Sequence, residues 1–400
     1  IFPINLLLYI FDYMSSKIKV LQVIPKLGYG GAETGCYDLA HYLAEKGCKS
    51  YIITSGGPLL KFIRKNKVKV IRLPVHSKNP ILMIINTIII SLLIVFLNIN
   101  IIHARSRAPA WSCWLANLVT RRKFVTTFHG TYNFKSKIKK FYNSIMLRSD
   151  LTIAGSNFIF DHIHSNYSEL LGRKKKLLVI FRGINTEYYS KKSITHEKVK
   201  KFNSALKLHD ETFKILLPGR LTRWKGQEMF MEAINLLKTK YYKTNFQTII
   251  LGSHQGRKVY FKKLISLVEQ HRLKDHVVFL SFCDEMPVAY YSADVVVSAS
   301  IEPEAFGRVA VEAQAMKKPI LASDLGGSKE TIINGKSGFL FKNGNPDSLA
   351  QNLNYIIEMD KDKLQSVGNE GRKNILIKFD VEKMCQSTFT EYQKLLKLKK

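Results

Sequence analysis

The sequence predicts an α/β protein of two doubly wound domains, each a parallel sheet flanked by helices. Short β-branched runs alternate with amphipathic segments through most of the 400 residues, the pattern of repeated strand–helix–strand units. A hydrophobic content of 46% over this length supplies two cores rather than one. A polar stretch over 186–212 divides the alternation and reads as a linker.

In the first half, strands are expected at 18–24, 50–54, 68–73, 100–103, 123–127, 151–154 and 177–180, making a domain over 14–190. The first strand runs into Gly28-Tyr-Gly30-Gly31-Ala-Glu33 and then a helix over 32–46, which is where a phosphate-binding turn belongs. A dinucleotide fingerprint needs Gly or Ala where Glu33 stands, so NAD is disfavoured. Gly30 and Gly31 either admit a ligand's phosphate to the backbone or simply make a tight turn. The apolar stretch 81–102 is long enough to span a bilayer, but Asn86, Thr87, Ser91, Asn98 and Asn100 interrupt it. It reads as a helix over 81–97, lying on the sheet or at a membrane interface, followed by a strand. Two further strand ends carry His103-Ala-Arg105-Ser-Arg107 and Phe128-His129-Gly130.

Strands recur at 213–217, 246–251, 277–280, 295–298 and 319–322, giving a second domain over 213–380 and a last helix over 381–398. After the first of these come Pro218-Gly219-Arg220 and Trp224-Lys225-Gly226, two cations between a strand and a helix. Arg grips phosphate with a bidentate fork and Lys adds a compact charge, which together suit a diphosphate. Gly252 and the loop holding Phe282 and Cys283 close the next two strand ends. The run 294–300 leads into Glu304-Ala-Phe306-Gly307-Arg308-Val-Ala-Val-Glu312. A helix beginning there exposes free N–H groups at Phe306, Gly307 and Arg308, with the dipole favouring an anion. Glu304 and Glu312 then stand at either end of such a ligand, each able to accept hydrogen bonds from vicinal hydroxyls. Two unrelated helix glutamates are the alternative.

The charge is lopsided. The chain carries 62 Lys and Arg against 31 Asp and Glu, and no acid occurs between Glu45 and Asp150, where 19 basic residues lie. Such a face is drawn to anionic surfaces, and no helix-turn-helix, zinc-finger or RNA-binding signature favours nucleic acid. Five scattered cysteines with no C-x-x-C pair suggest neither a disulfide framework nor a zinc site, and point to a reducing cytoplasm. Residues 1–13 lack a basic n-region and a small-residue cleavage site. Met14 as the true start and a short monotopic anchor are the two readings of that leader.

Glu304-x7-Glu312 in this setting resembles the signature of the family-4 retaining glycosyltransferases, which have the GT-B fold of two Rossmann-like domains facing across a cleft. The likeness runs from the Gly30 loop to about Gly338. It implies that Glu304 contacts the donor sugar and Glu312 the ribose, that Arg220 and Lys225 neutralise the leaving diphosphate, and that His129 sits near the reacting carbon. It also implies donor contacts at Gly30, Gly31, Gly252, Phe282, Cys283, Phe306, Gly307 and Arg308, and a last helix packed back on the first domain. The segment 103–111 resembles a motif of envelope-polysaccharide transferases, which makes Arg105 and Arg107 acceptor candidates, with solvated surface cations as the alternative. The expected activity is metal-independent, hexosyltransferase-type transfer from a nucleotide-sugar, a UDP-sugar, to a glycolipid or polysaccharide acceptor, with no cofactor. Asp360-Lys-Asp362 reads as surface rather than a metal motif. The expected location is the anionic inner face of the cytoplasmic membrane, as a peripheral protein in cell-envelope or lipopolysaccharide biosynthesis. A nucleotide-sugar epimerase of the same architecture and a non-enzymatic membrane-surface adaptor are the competing readings.

Overall fold

The computed structural model describes residues 18–171 and 176–397. The leader with Met14 lies outside the described residues. The chain divides into two compact units: the first runs to Gly183 and takes back the chain from Val381, and the second is Ile184–Asp380.

The first unit is a seven-stranded sheet built from β1 (Lys19–Val23), β2 (Lys49–Thr54), β3 (Val68–Arg72), β4 (Ile101–Ala104), β5 (Lys123–Phe128), β6 (Leu151–Ala154) and β7 (Lys176–Val179). Their order is β3-β2-β1-β4-β5-β6-β7, and every pairing is parallel. Parallel strands covered on both faces need side chains that tolerate burial on both, and the inner strands are buried along nearly their whole length, while β3 and β7 at the edges are only partly so. Helix Gly31–Glu45 is the next element after β1, reached through the loop over 24–30. Helix Pro80–Phe96 starts where Asn79 caps it, its side chain accepting from the Ile81 and Leu82 amides, with Pro80 at the first helical position. The last helix, Val381–Leu395, belongs to this unit. It inserts Cys385, Phe389 and Tyr392 into a core shared with Leu39, Leu43 and Val125.

The second unit is a six-stranded parallel sheet of β8 (Phe213–Pro218), β9 (Phe246–Leu251), β10 (Val277–Leu280), β11 (Val295–Ser298), β12 (Ile320–Ser323) and β13 (Phe339–Phe341), ordered β10-β9-β8-β11-β12-β13. Two elements differ from expectation. The stretch 186–212 is no open linker: Thr195 caps helix His196–Ala205, which packs against helix Met286–Ser292 inside this unit. β13 is three residues long, too short for periodicity to mark.

Phe389 is buried in the first unit's core, edge-on to Tyr42. Phe389→Ala is expected to cost about 3–5 kcal/mol of stability, the usual range for emptying a buried Phe site. Denaturant unfolding checks this; a loss below about 1 kcal/mol would mean the last helix adds little to that core.

Candidate active site

Each sheet reverses its strand order once, between β1 and β4 in the first and between β8 and β11 in the second. Doubly wound sheets bind ligands outside the carboxyl ends of their strands at that point.

In the second unit the loops leaving β8 and β11 are clamped together. The Ile301 amide donates to the Trp224 carbonyl at 2.9 Å. Gly226, at φ 71°, passes so close to Ala299 that a Cβ would collide with its carbonyl oxygen. The clamp sets Lys225 Nζ 2.6 Å from Glu304 Oε1, with the two side chains only 13% and 10% exposed. Ser300 Oγ donates to the same oxygen at 2.5 Å. Burial by itself would raise the Glu304 carboxyl, but Lys225, Ser300 and Ser298 outweigh it and hold the group below the usual carboxylate range. Trp224 lies under both cations: Lys225 Nζ is 4.5 Å and the Arg220 guanidinium 5.9 Å from its ring centre.

Gly307, at φ 77°, caps helix Arg308–Ala315, which begins four residues after Glu304. Arg308 Nε pairs with Glu312 Oε1 at 2.5 Å, one turn on. Tyr290 Oη donates to Glu312 Oε2 at 2.6 Å. Tyr189 bonds the same carboxylate, so Glu312 is already engaged by Arg308, Tyr290 and Tyr189 and keeps little free acceptor capacity. The Phe306 side chain is buried against Phe379, leaving its backbone as the part near the turn. At the neighbouring strand ends, Gly252 lies against the Gly219 carbonyl, Phe282 is 61% exposed, and Cys283 Sγ donates to the Glu285 carbonyl.

In the first unit, Gly30 and Gly31 follow β1, Arg105 follows β4, His129 follows β5 and Arg182 follows β7. Arg105, His129 and Arg182 line one pocket of about 20 Å³, room for a single water. The Arg182 guanidinium lies over Gly31, where a Cβ would strike it. Gln22 Oε1 accepts from Arg105 Nε at 2.8 Å. Neither ring nitrogen of His129 has a partner among the described residues. Burial, then Arg182 and Arg105, push its pKa well below the ordinary value, so the ring is neutral. His103 beside it bonds Tyr392 Oη at 2.5 Å and Thr127 Oγ1 at 2.7 Å.

Arg105 and Arg107 part company. Arg105 still lies in the loop and turns into the pocket, whereas Arg107 is the first residue of helix Arg107–Thr120. It donates to Asn143 Oδ1 at 2.7 Å and covers the Tyr132 ring at 4.3 Å. Arg107 thus braces the segment after His129 and leaves the pocket to Arg105. Arg182, Ser300 and Tyr290 were not singled out by the sequence; Arg182 and Ser300 each carried a signal, a place just past a strand, and Tyr290 carried none. Asn185, at the chain's crossing between units, caps its own turn by accepting from the Glu187 and Tyr188 amides. Asp360 and Asp362 are exposed at the start of helix Lys361–Lys378. Among the described residues, no three His, Cys, Asp or Glu side chains gather as a metal site, and no helix is long and apolar enough to cross a membrane.

Two doubly wound modules, one with a helix start beside a largely buried Lys–Glu pair, define an α/β protein of the GT-B fold. Residues 29–188 match the model of Glycosyltransferase Family 4 and residues 198–374 that of Glycosyl transferases group 1. The crystal structure of a glycosyltransferase from Rickettsia africae ESF-5 is 35% identical, with a TM-score of 0.87 over 96% of this chain and 100% of that one. The chain belongs to the glycosyltransferases. Among curated relatives it is similar to an uncharacterized glycosyltransferase, MJ1607, of Methanocaldococcus jannaschii, at 31% identity over 54% of each chain. It is also similar to the capsular polysaccharide biosynthesis glycosyltransferase CapM of Staphylococcus aureus, at 24% over 58% of this chain and 60% of that one. The chain thus spans a little over half the length of these two. The structure of Anabaena HepE in complex with UDP and glucose, at 23% identity and a TM-score of 0.79 over 94% of this chain and all of that one, shares the fold.

The buried neutral histidines give stability a sign with pH. A depressed folded pKa means that the unfolded chain takes up the proton first, as pH falls below about 6.5. Stability is therefore full above that value and declines as pH falls towards the folded value, with His129 and His103 acting in the same direction. Thermal midpoints are expected to drop between pH 7 and pH 5, and to drop less in His129→Gln. Identical pH slopes for the two proteins would show that His129 is not held neutral by the fold.

Proposed function

We propose that this glycosyltransferase moves a hexose from a UDP-sugar to a glycolipid or polysaccharide acceptor in cell-envelope biosynthesis, with retention of anomeric configuration and without a metal ion. The observation that carries the reading is the buried Lys225–Glu304 pair next to the start of helix Arg308–Ala315. A diphosphate seated on those first-turn amides meets Lys225 and Arg220, and the attached sugar brings its hydroxyls to the Glu304 carboxylate. Glu312 then accepts from a ribose hydroxyl through the acceptor position it has left, while Gly252, Phe282 and Cys283 flank the base. As the bond from the anomeric carbon to the β-phosphate oxygen breaks, charge builds on that oxygen, where fixed cations and amides stabilise it. The acceptor hydroxyl attacks from the same face and gives its proton to the departing phosphate. His129 contributes as a neutral hydrogen-bonding group near the reacting carbon, and Gly30, Gly31 and Arg105 serve the first unit's side of the reaction. Membership among the glycosyltransferases and similarity to CapM favour transfer to an envelope acceptor over epimerisation or a purely adaptor role. The acid-free basic segment favours an acceptor carried on an anionic membrane face.

Lys225→Ala alone strands a buried carboxylate, a change that typically costs about 3–5 kcal/mol of stability. The cleaner test is Lys225→Gln with Glu304→Gln, which keeps the site neutral and hydrogen-bonded. That double variant is expected to fold and to lose about 100- to 1,000-fold in turnover. EDTA is expected to leave the unaltered protein's rate unchanged. Transfer abolished by EDTA and restored by manganese or magnesium would refute metal independence; a double variant with normal turnover would refute the assigned roles.

Glu304→Gln alone frees Lys225 from its counter-ion. It is expected to bind UDP at least as tightly as the unaltered protein while losing its preference for the UDP-sugar, as read by titration calorimetry with both ligands. Weakened UDP binding would place Glu304 on the nucleotide rather than the sugar.

A further inference from the structure

Helix Pro80–Phe96 is apolar over most of its surface, yet only one side is covered. Asn86, Ile90 and Ile94 form its buried face. Ile81, Ile84, Ile88, Leu92, Val95 and Phe96 are all exposed, Ile81 by 69% and Phe96 by 81%. At 100° per residue these six fall within an arc of about 120°, directly opposite the buried face, along a helix of about 25 Å. A helix hydrophobic all round belongs in a core or in lipid, and a continuous exposed apolar strip of this length marks an interaction surface.

The strip has apolar neighbours. Helix Arg107–Thr120 packs alongside, with Ser112 Oγ donating to the Met83 carbonyl, and its last turn exposes Leu118 and Val119. Arg122 reaches Asn98 just beyond Phe96. Trp111 of the same helix packs at a tilt against Phe141 of helix Lys137–Ser144, where Ile138 is also exposed. Exposed cations accompany this group of helices: Lys78 just before the strip, Arg121 and Lys123 after Val119, and Lys137 and Lys139 beside Ile138. No acid occurs in the sequence from Lys46 to Ser149. A second copy docking through this face would bring like charges together. An anionic lipid leaflet opposes them with the other sign and accepts the apolar strip, as interfacial helices with a basic rim do.

We propose that helix Pro80–Phe96 inserts its exposed strip into the headgroup boundary of an anionic bilayer, with the flanking Lys and Arg on the lipid phosphates. This names the partner of the acceptor side and rests on the membrane-acceptor reading above. Attachment then has two parts. The ionic part is screened as the Debye length falls from about 10 Å at 0.1 M salt to about 3 Å at 1 M; the inserted part is not.

The test is co-sedimentation of the full chain with phosphatidylglycerol and with phosphatidylcholine vesicles at both salts, alongside UDP calorimetry and analytical ultracentrifugation. The unaltered protein is expected to bind phosphatidylglycerol vesicles at low salt, to prefer them to phosphatidylcholine, and to keep a measurable share at 1 M. Ile84→Ser/Ile88→Ser/Leu92→Ser is expected to lower the partition about tenfold or more and to abolish the salt-resistant share, with UDP binding intact. Phe96→Ser, at the most exposed position of the strip, reads the same direction if the triple variant folds poorly. Variants that bind vesicles as the unaltered protein does, or an unaltered protein that ignores phosphatidylglycerol at low salt, would overturn the proposal. So would a dimer that the triple variant turns to monomer with vesicle binding unchanged, which would make the face a contact between copies. Loss of UDP binding in the unaltered protein would sink the donor reading and leave the bilayer reading standing.

Discussion

Taking two unlike charges almost wholly out of water costs several kcal/mol per ion, and attraction offsets that only where geometry and further hydrogen bonds are good. Lys225 and Glu304 meet that condition through Ser300 and through the clamp that fixes the β8 and β11 loops. The second unit's site depends on this pair. Its loops are positioned by the need to keep both charges satisfied, so the site is organised before any ligand arrives. On the proposed reading, a diphosphate arriving at Lys225 would exchange one anion for another rather than require a new pocket. Arg308 and Glu312 repeat the arrangement one turn into the helix, with Tyr290 taking the part that Ser300 plays.

The first unit solves a different electrostatic problem. Arg105 and Arg182 lie on one small pocket, and the ring between them, His129, responds by staying neutral. A neutral imidazole keeps one donor and one acceptor nitrogen, whereas a protonated one would add a third positive charge. The basic excess of this half of the sequence is thus divided. A few cations converge at the carboxyl ends of the strands, and most of the remainder lies on exposed helices and turns.

Much of this was legible in the sequence, because strands buried on both faces leave an unmistakable apolar signature. All twelve expected strands fall within one residue of an observed strand at each end. β13 escaped because three residues cannot show a period, and helix His196–Ala205 escaped because it is almost entirely polar. The Lys225–Glu304 cluster was readable as a set of residues, since strand-end position and residue type sufficed to nominate each. Their pairing with each other was not, because it depends on the close approach of Gly226 to Ala299 and on Ser300. The divergence of Arg105 from Arg107 was equally hidden. Two residues of spacing mean the same face in a strand but about 200° apart in a helix, and this pair straddles the change from loop to helix.

The return of the last helix to the first unit carries a consequence for how the protein is made. Cys385, Phe389 and Tyr392 complete a core whose other members precede residue 181, and all of Ile184–Asp380 is translated between them. In topological terms the second unit is an insertion within the first. On the ribosome the later-synthesised unit has its whole sequence available before the earlier one does, so the usual order of domain folding, first made and first folded, is reversed here. Until the final helix emerges, the nascent chain carries an unfinished hydrophobic core, and a stop codon anywhere before residue 381 would leave it permanently so.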